Sequence, residues 1–325
     1  MYLTGNSAKE LISMKNRILQ LCPLSPVLDA ELAQVFNIHQ WWNETDPDGF
    51  LQREGGSIAG IATAAPVGAP TELVNALPNL KVIYCRGVGL DKIDLVNAKQ
   101  RGIQVSGTFG TLSDCVADMA FALLLDVGRE LSMADRYVRA GHWLKARYRL
   151  TPRVSGKRLG IIGLGQIGKL VAKRASGFDM TIAYTNRNAL KDCPYRYEES
   201  ILRLAEWCDF LVITVAGGAD THHLISAEVL DALGPDSYLI NVARGSTVDQ
   251  GALIQALSER RIRGAGLDVF EAEPLVPQAL LNLDNVVLSP HMASGTLETR
   301  KAMEDLVLEN LKAFFSNGRV QTPAF

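Results

Sequence analysis

The chain has 325 residues, 47% of them hydrophobic, and a formal net charge of −2, so it can bury about two cores and has no global basic field to draw it to nucleic acid or a membrane surface. No run approaches the ~18 apolar residues of a membrane span, and Met1 to Lys15 has no apolar signal-peptide core. The five cysteines (Cys22, Cys85, Cys115, Cys193, Cys208) are scattered and show no C-x-x-C spacing, so they read as reduced thiols of a cytoplasmic protein, not as a disulfide frame or a metal site.

Residues 1–15 read as an addition before the first strand, with Met14 close enough to serve as a second start. Strands are predicted at Arg17–Cys22, Ile38–Trp42, Ile58–Ala64, Lys81–Tyr84 and Ile103–Val105, and helices from Ser25-Pro26 to near Phe36 and over Pro70–Leu77. Alternation of this kind implies an open α/β unit with a parallel sheet. After the fourth strand comes Arg86-Gly87-Val88-Gly89-Leu90-Asp91, a glycine-rich loop at a strand's carboxyl end, where such sheets bind ligands. Its backbone N–H groups could hold a carboxylate; a plain turn is the other reading.

Ser113 to Ala140 is one long helical pattern, and Gly141 to Thr151 is an arm with His142, Trp143 and several arginines that could lie against another subunit. The apolar run Leu159–Ile162 then meets Gly163, Gly165 and Gly168 in G-x-G-x-x-G spacing, with Lys169–Ser176 helical behind them. The first glycine permits a tight turn, the second lets backbone approach a pyrophosphate, and the third lets helix and strand pack closely. The helix N-terminus offers N–H groups and the positive dipole end to phosphate. A glycine-rich turn, or a site for another adenosine ligand, is the competing reading.

Further strands are predicted at Met180–Tyr184, Phe210–Thr214, Tyr238–Val242, Gly264–Val269 and Val286–Leu288, with helices Glu198–Trp207, Ala227–Leu233 and Gly251–Glu259 between them. The long amphipathic helix Leu297–Phe315 falls outside that unit and returns to the first. The fold class is therefore α/β with two doubly wound parallel-sheet domains. One is a Rossmann dinucleotide-binding domain, residues 107–294; the other is a discontinuous flavodoxin-like substrate domain, residues 1–106 with 295–325.

An NAD site wants an acid about 20 residues past the glycines. The second strand of that unit ends instead in Thr185-Asn186-Arg187. An acid would repel a ribose 2′-phosphate, whereas Arg187 can pair with one bidentately and Asn186 and Thr185 can add hydrogen bonds. This points to NADPH, with NADH used less efficiently, against the reading of Arg187 as a solvated loop cation. Three more strand ends carry Asn241-Val242-Ala243-Arg244-Gly245, Asp268-Val269-Phe270-Glu271-Ala272-Glu273-Pro274 and Ser289-Pro290-His291. Singly, Arg244 could be a surface cation, Glu273 a loop carboxylate and His291 one histidine among five. Their common strand-end placement converges them on one site.

With these motifs the sequence resembles the D-isomer-specific 2-hydroxyacid dehydrogenase family from about residue 58 to 315, most densely at Gly87–Asp91, Val116–Leu125, Leu159–Gly168, Ile240–Gly245, Ala265–Pro274 and Leu288–Thr296. The Val88–Lys92 run and the non-acidic end of the second strand are most similar to NADPH-dependent glyoxylate, hydroxypyruvate, hydroxyphenylpyruvate and 2-ketogluconate reductases. The resemblance implies that Arg244 binds the substrate carboxylate and polarises the keto group, that His291 donates the proton, and that Glu273 holds His291 protonated. Val88 and Gly89 would bind the carboxylate, and Ser294 would sit near the substrate. Leu164, Gly165, Gln166 and Ile167 would contact the pyrophosphate, Asn186 and Arg187 the 2′-phosphate, and Asp268 the nicotinamide amide, with Gly163, Gly168 and Thr185 also in the cofactor site. Thr108, Val215 and Ala243 would line the cofactor.

No metal is implied, and a homodimer through the nucleotide domain is. The chain departs from the family at Gly107-Thr108-Phe109, where Asn-Thr-Pro is frequent, and at Ala216-Gly217-Gly218, where a Pro-Leu turn is frequent. Competing readings are an NAD-linked lactate, phosphoglycerate or formate dehydrogenase, a dinucleotide-sensing binding protein of the same fold, and an adenosine-ligand enzyme of the homocysteine type, which the Arg-Glu-His set does not favour. The 2-keto acid itself is not named by these motifs; its size depends on residues 52–68, Trp143 and Met292.

Overall fold

Two parallel sheets organise residues 16–325, which are those described by the computed structural model. They lie in two compact units, one running to Leu112 and resuming over Leu297–Phe325, the other spanning Ser113–Thr296. The reading of residues 1–15, with Met14 as a second start, lies outside the described residues.

The first unit runs β1 (Arg17–Gln20), α1 (Pro26–Val35), β2 (Asn37–Gln40), α2 (Pro47–Glu54), β3 (Ile58–Ala64), α3 (Thr71–Asn75), β4 (Val82–Arg86), α4 (Leu95–Gln100) and β5 (Gln104–Gly107). Its sheet order is β2-β1-β3-β4-β5, every pair parallel. Because successive strand side chains face opposite ways, the apolar strands feed two cores. Leu19, Ile61, Ile83 and Val105 pack with Phe50, Leu73, Leu77 and Ala98. Ile18, Ala62, Val82 and Tyr84 pack with Leu28 and Leu32 of α1 and with Val307, Leu311 and Phe314 of the C-terminal helix Leu297–Asn317. That second core is why the chain's end returns to this unit: each fully buried Leu, Val or Phe is worth about 1.5–3 kcal/mol over its exposed state.

Local differences have local causes. The second strand was expected to reach Trp42, but the chain turns at Trp41–Asn43 in a 3₁₀ turn closed by Glu44 N–H donating to Trp41 C=O at 3.1 Å. The helices α2 and α4 were not expected, because each buries so little apolar surface. Both start on an aspartate cap: Asp46 accepts from Gly49 N–H at 3.1 Å, and Asp94 from Asn97 N–H at 2.9 Å.

The second unit runs α5 (Ser113–Arg129), α6 (Leu131–Arg139), β6 (Arg158–Ile162), α7 (Gln166–Ser176), β7 (Thr181–Thr185), β8 (Arg196–Tyr197), α8 (Ile201–Trp207), β9 (Phe210–Ile213), α9 (Ala227–Leu233), β10 (Tyr238–Asn241), α10 (Gln250–Ser258), β11 (Gly264–Leu267), α11 (Gln278–Leu281) and β12 (Val286–Leu288). The strand order β12-β11-β10-β9-β6-β7-β8 reverses direction between β6 and β9, the switch point where open α/β sheets bind ligands. The two-residue strand β8 was not expected; it is too short to carry a period.

The expected single helix Ser113–Ala140 is two. Glu130 adopts a left-handed conformation (φ 54°), and the Asp126 side chain accepts the Ser132 N–H at 2.8 Å, so one helix ends and the next is capped there. Buried Ala117, Ala120, Phe121, Leu124 and Val127 set α5 onto the sheet. A Cβ at Gly266 would sit 2.9 Å from Leu123 Cβ, so this close approach depends on the missing side chain.

Candidate active site

The glycine motif joins β6 to α7 at the switch point. Gly163 N–H donates to Thr185 C=O at 3.0 Å and Gly165 N–H to Gly163 C=O at 2.8 Å, so the turn is tied to β7 and to itself. A Cβ at Gly168 would lie 2.3 Å from the Gly163 oxygen, which fixes how closely helix and turn pack. A Cβ at Gly165 would meet nothing within 4 Å, so the space over that exposed residue is open. The first helical bond runs from Lys169 N–H to Gly165 C=O at 3.0 Å, leaving the N–H groups of Gln166, Ile167 and Gly168 outside the helix ladder. Open space before unpaired N–H groups at a helix start fits a dinucleotide pyrophosphate. Leu164 is not among those donors: its N–H is taken by Asn186 Oδ1 at 2.7 Å, and its side chain is buried.

At the β7 end Thr185 is buried, Asn186 Oδ1 accepts the Leu164 N–H, and Arg187 projects into solvent, where Nη2 donates to Asp220 Oδ2 at 2.8 Å. Tyr197 of β8 donates its hydroxyl to Asn186 C=O at 3.2 Å, so the strand that sequence reasoning missed steadies this turn. Val215, half-buried, follows β9, and its side chain and backbone crowd Gly163.

The other three strand ends meet. After β10, Asn241 folds the turn: its Oδ1 accepts from Ala243 N–H at 3.0 Å and its Nδ2 donates to Arg244 C=O at 2.8 Å. Arg244 Nη1 donates back to Ala243 C=O at 2.7 Å. A Cβ at Gly245 would fall 1.9 Å from the Phe270 carbonyl carbon, so only glycine lets this turn lie against the loop after β11. That loop carries Glu273, whose Oε1 accepts from Phe270 N–H at 3.0 Å and whose Oε2 lies 2.6 Å from His291 Nδ1. Burial would raise the Glu273 carboxyl; hydrogen bonds from His291 and Phe270 N–H and the charges of His291 and Arg244 outweigh it and hold it below its ordinary value.

His291 sits at φ 48°, a left-handed position uncommon for a residue other than glycine. Asp268 imposes it. Its C=O accepts His291 N–H at 2.8 Å, Oδ1 accepts Met292 N–H at 2.9 Å and the Ser289 hydroxyl, and Oδ2 accepts Ala293 N–H at 2.9 Å. Asp268 is 1% exposed, and these partners occupy much of a carboxylate assigned in sequence to the nicotinamide amide. Glu271, the neighbouring acid, faces elsewhere: its Oε1 lies 2.8 Å from His223 Nε2.

Ser294 is half-buried in the turn after His291, and Ala243 is buried. Val88, Gly89 and Thr108 belong to the first unit, the first two half-buried in the loop after β4. Thr108 is fully buried, its N–H donating to Gly87 C=O at 2.9 Å, while its hydroxyl has no hydrogen-bond partner among the described residues. Sequence reasoning missed Asn241 as the clamp on Arg244 and Asp220 as the partner of Arg187. The Asn-x-Ala-Arg spacing could have suggested the first; nothing local signals the second.

A model of the D-isomer specific 2-hydroxyacid dehydrogenase NAD-binding domain matches residues 121–293. Hydroxyphenylpyruvate reductase of Plectranthus scutellarioides is 45% identical over 306 residues, covering 94% of this chain and 98% of its own. The 2-ketogluconate reductase of Gluconobacter oxydans is 44% identical over 312 residues, covering 96% and 99%. Among solved structures, the NADPH-dependent glyoxylate/hydroxypyruvate reductase of Sinorhizobium meliloti, in complex with NADP and malonate, superposes with a TM-score of 0.88 at 39% identity over 95% of this chain and 97% of that one.

Proposed function

The chain belongs to the D-isomer-specific 2-hydroxyacid dehydrogenase family and is an oxidoreductase, and from that premise we propose that it reduces a small 2-keto acid to the D-2-hydroxy acid with NADPH, NADH serving less well. Glyoxylate, hydroxypyruvate and a 2-ketoaldonate are the candidate substrates, after the names of its relatives. The observation that carries the reading is the 2.6 Å contact between His291 Nδ1 and Glu273 Oε2 within the electrostatic reach of Arg244.

When bound, the nicotinamide supplies a hydride for the keto carbon. The side chains meet the charge this creates on the keto oxygen. Arg244 pairs with the substrate carboxylate and polarises the carbonyl. With Nδ1–H donating to Glu273, His291 presents Nε2 to the keto oxygen and gives it the proton that reduction consumes. Glu273 orients the ring through its contact with Nδ1. Val88 and Gly89 contact the carboxylate through backbone N–H groups, and Ser294 lies near the substrate. The pyrophosphate is held at Gly165 to Gly168, and the 2′-phosphate by Arg187 and its neighbours Thr185 and Asn186. Thr108, Val215, Ala243 and Asp268 line the cofactor.

The reading includes a homodimer through the second unit. Its support is the arm after α6, where Leu144 and Leu150 are 93% and 96% exposed, an apolar surface suited to a second copy. It also includes the cytoplasm, in keeping with five cysteines none of which forms a disulfide. No helix among the described residues is long and apolar enough to cross a membrane.

The test is consumption of NADPH and of NADH with a panel of 2-keto acids, followed by chiral separation of the product. NADPH-preferring turnover to a D-hydroxy acid supports the reading. An L-product, or no turnover of any 2-keto acid, overturns it.

A further inference from the structure

Arg187 and Asp220 stand on opposite sides of the glycine motif. Arg187 follows β7, Asp220 lies in the loop after β9, and β6 with its glycine turn runs between those two strands. Neighbouring strands are about 4.8 Å apart, so the ion pair reaches across roughly 10 Å of the sheet's carboxyl edge. It bridges the mouth of the switch point, where the adenosine half of a dinucleotide lies.

The Asp220 loop is shaped for this. Thr221 Oγ1 donates to Ala216 C=O at 2.8 Å and to Gly218 C=O at 3.2 Å, which folds the loop and carries Asp220 outward. Gly218 adopts φ 148°, and a Cβ there would meet nothing within 4 Å, so the turn is uncrowded. It falls at Ala216-Gly217-Gly218, where the sequence departs from the family's frequent Pro-Leu turn. Arg187 and Asp220 side chains are 81% and 78% exposed, so the contact is open to exchange with solvent ions and ligands.

We propose that Asp220 is a cofactor-discriminating residue: its carboxylate holds Arg187 across the crevice, and the 2′-phosphate of NADP(H) must displace it to gain the guanidinium. NAD(H) has no 2′-phosphate and leaves the pair in place. Asp220 thus lowers the affinity for NADPH and leaves that for NADH alone, so it narrows the preference that Arg187 creates. The inference rests on the reading of Arg187 as the 2′-phosphate ligand.

The experiment measures Kd for NADPH and NADH by fluorescence titration of the full chain, as wild type, Asp220→Asn, Arg187→Ala and the double variant. An exposed ion pair corresponds to about a two- to five-fold effect, so Asp220→Asn should tighten NADPH by about that factor, leave NADH unchanged, and lose its effect in the Arg187→Ala background. Weaker or unchanged NADPH binding in Asp220→Asn overturns the proposal, as does equal tightening of both cofactors. A gain that persists without Arg187 also overturns it, since that would be direct repulsion between carboxylate and phosphate. If Arg187→Ala itself spares NADPH binding, the underlying cofactor reading falls. If Arg187→Ala weakens NADPH while Asp220→Asn is silent, only the present inference falls.

Discussion

At the β11–β12 end of the second sheet, Asp268 is 1% exposed and gathers Ser289, His291, Met292 and Ala293 onto its own oxygens; at the β7 end, Arg187 and Asp220 are 81% and 78% exposed and share a 2.8 Å contact. The first corner is preorganised. Its histidine is held at a left-handed φ by hydrogen bonds to Asp268. The second is exchangeable, because an exposed ion pair is screened and worth little. The proposed mechanism places the chemistry that must be exact in geometry at the first corner and the recognition of one extra phosphate at the second. Substitutions at the two ends should therefore differ in size and in salt dependence.

The largest effect is expected at the rigid end. If His291 is the proton donor proposed above, His291→Asn should lower kcat for reduction by about 10²- to 10⁴-fold, while fluorescence titration should show NADPH binding nearly intact. On the proposed roles of Arg244, Arg244→Ala should lose both carboxylate binding and carbonyl polarisation, so kcat and kcat/KM should both fall, kcat by about 10²-fold or more in steady-state assays. Asp268→Ala strands the part-buried N–H of Met292 and the buried N–H of Ala293. At about 1–3 kcal/mol for each unsatisfied group, it should lower the thermal midpoint by several degrees, read by calorimetry.

The loose end sharpens the contrast. Arg187→Ala should cost about 10- to 150-fold in kcat/KM for NADPH, chiefly through KM, with NADH little changed. That loss should shrink as salt rises, whereas the Arg244→Ala and His291→Asn losses should not. A salt-independent Arg187→Ala effect would contradict the division between the two ends.

Much of the architecture was legible in sequence because its signals are local. Six strands of the second unit appear as short apolar runs, and the glycine spacing fixes the turn after β6. Return of the C-terminal helix to the first unit was legible too, since its apolar stripe had no place in the second. What was not legible depends on tertiary contact. The break at Glu130 is made by Asp126 reaching forward to Ser132, and β8 exists only because β7 offers Ala183 and Tyr184 as partners. For the site, strand-end placement suggested which loops converge. It could not show that Glu273 faces His291 while Glu271 turns to His223, nor that Asp268 holds the histidine turn. The Arg187–Asp220 contact joins residues far apart in sequence and leaves no periodic trace.

The pairing of Glu273 with His291 is the centre of this account, and pH tests it. Because the carboxyl of Glu273 is held below its ordinary value of 4.5, the pair's contribution to stability is present in full above that value and is lost as pH falls through the lowered one. The decisive measurement is the pH dependence of the unfolding free energy, taken together with kcat/KM for reduction at one fixed pH, in the wild type and in Glu273→Gln. Glu273→Gln keeps the shape and removes the charge, so it should lack the loss of stability that the wild type shows as pH falls through the lowered value, and its kcat/KM should be about tenfold or more lower. A Glu273→Gln variant with the wild-type pH–stability profile and the wild-type kcat/KM would contradict the account and turn attention to Glu271.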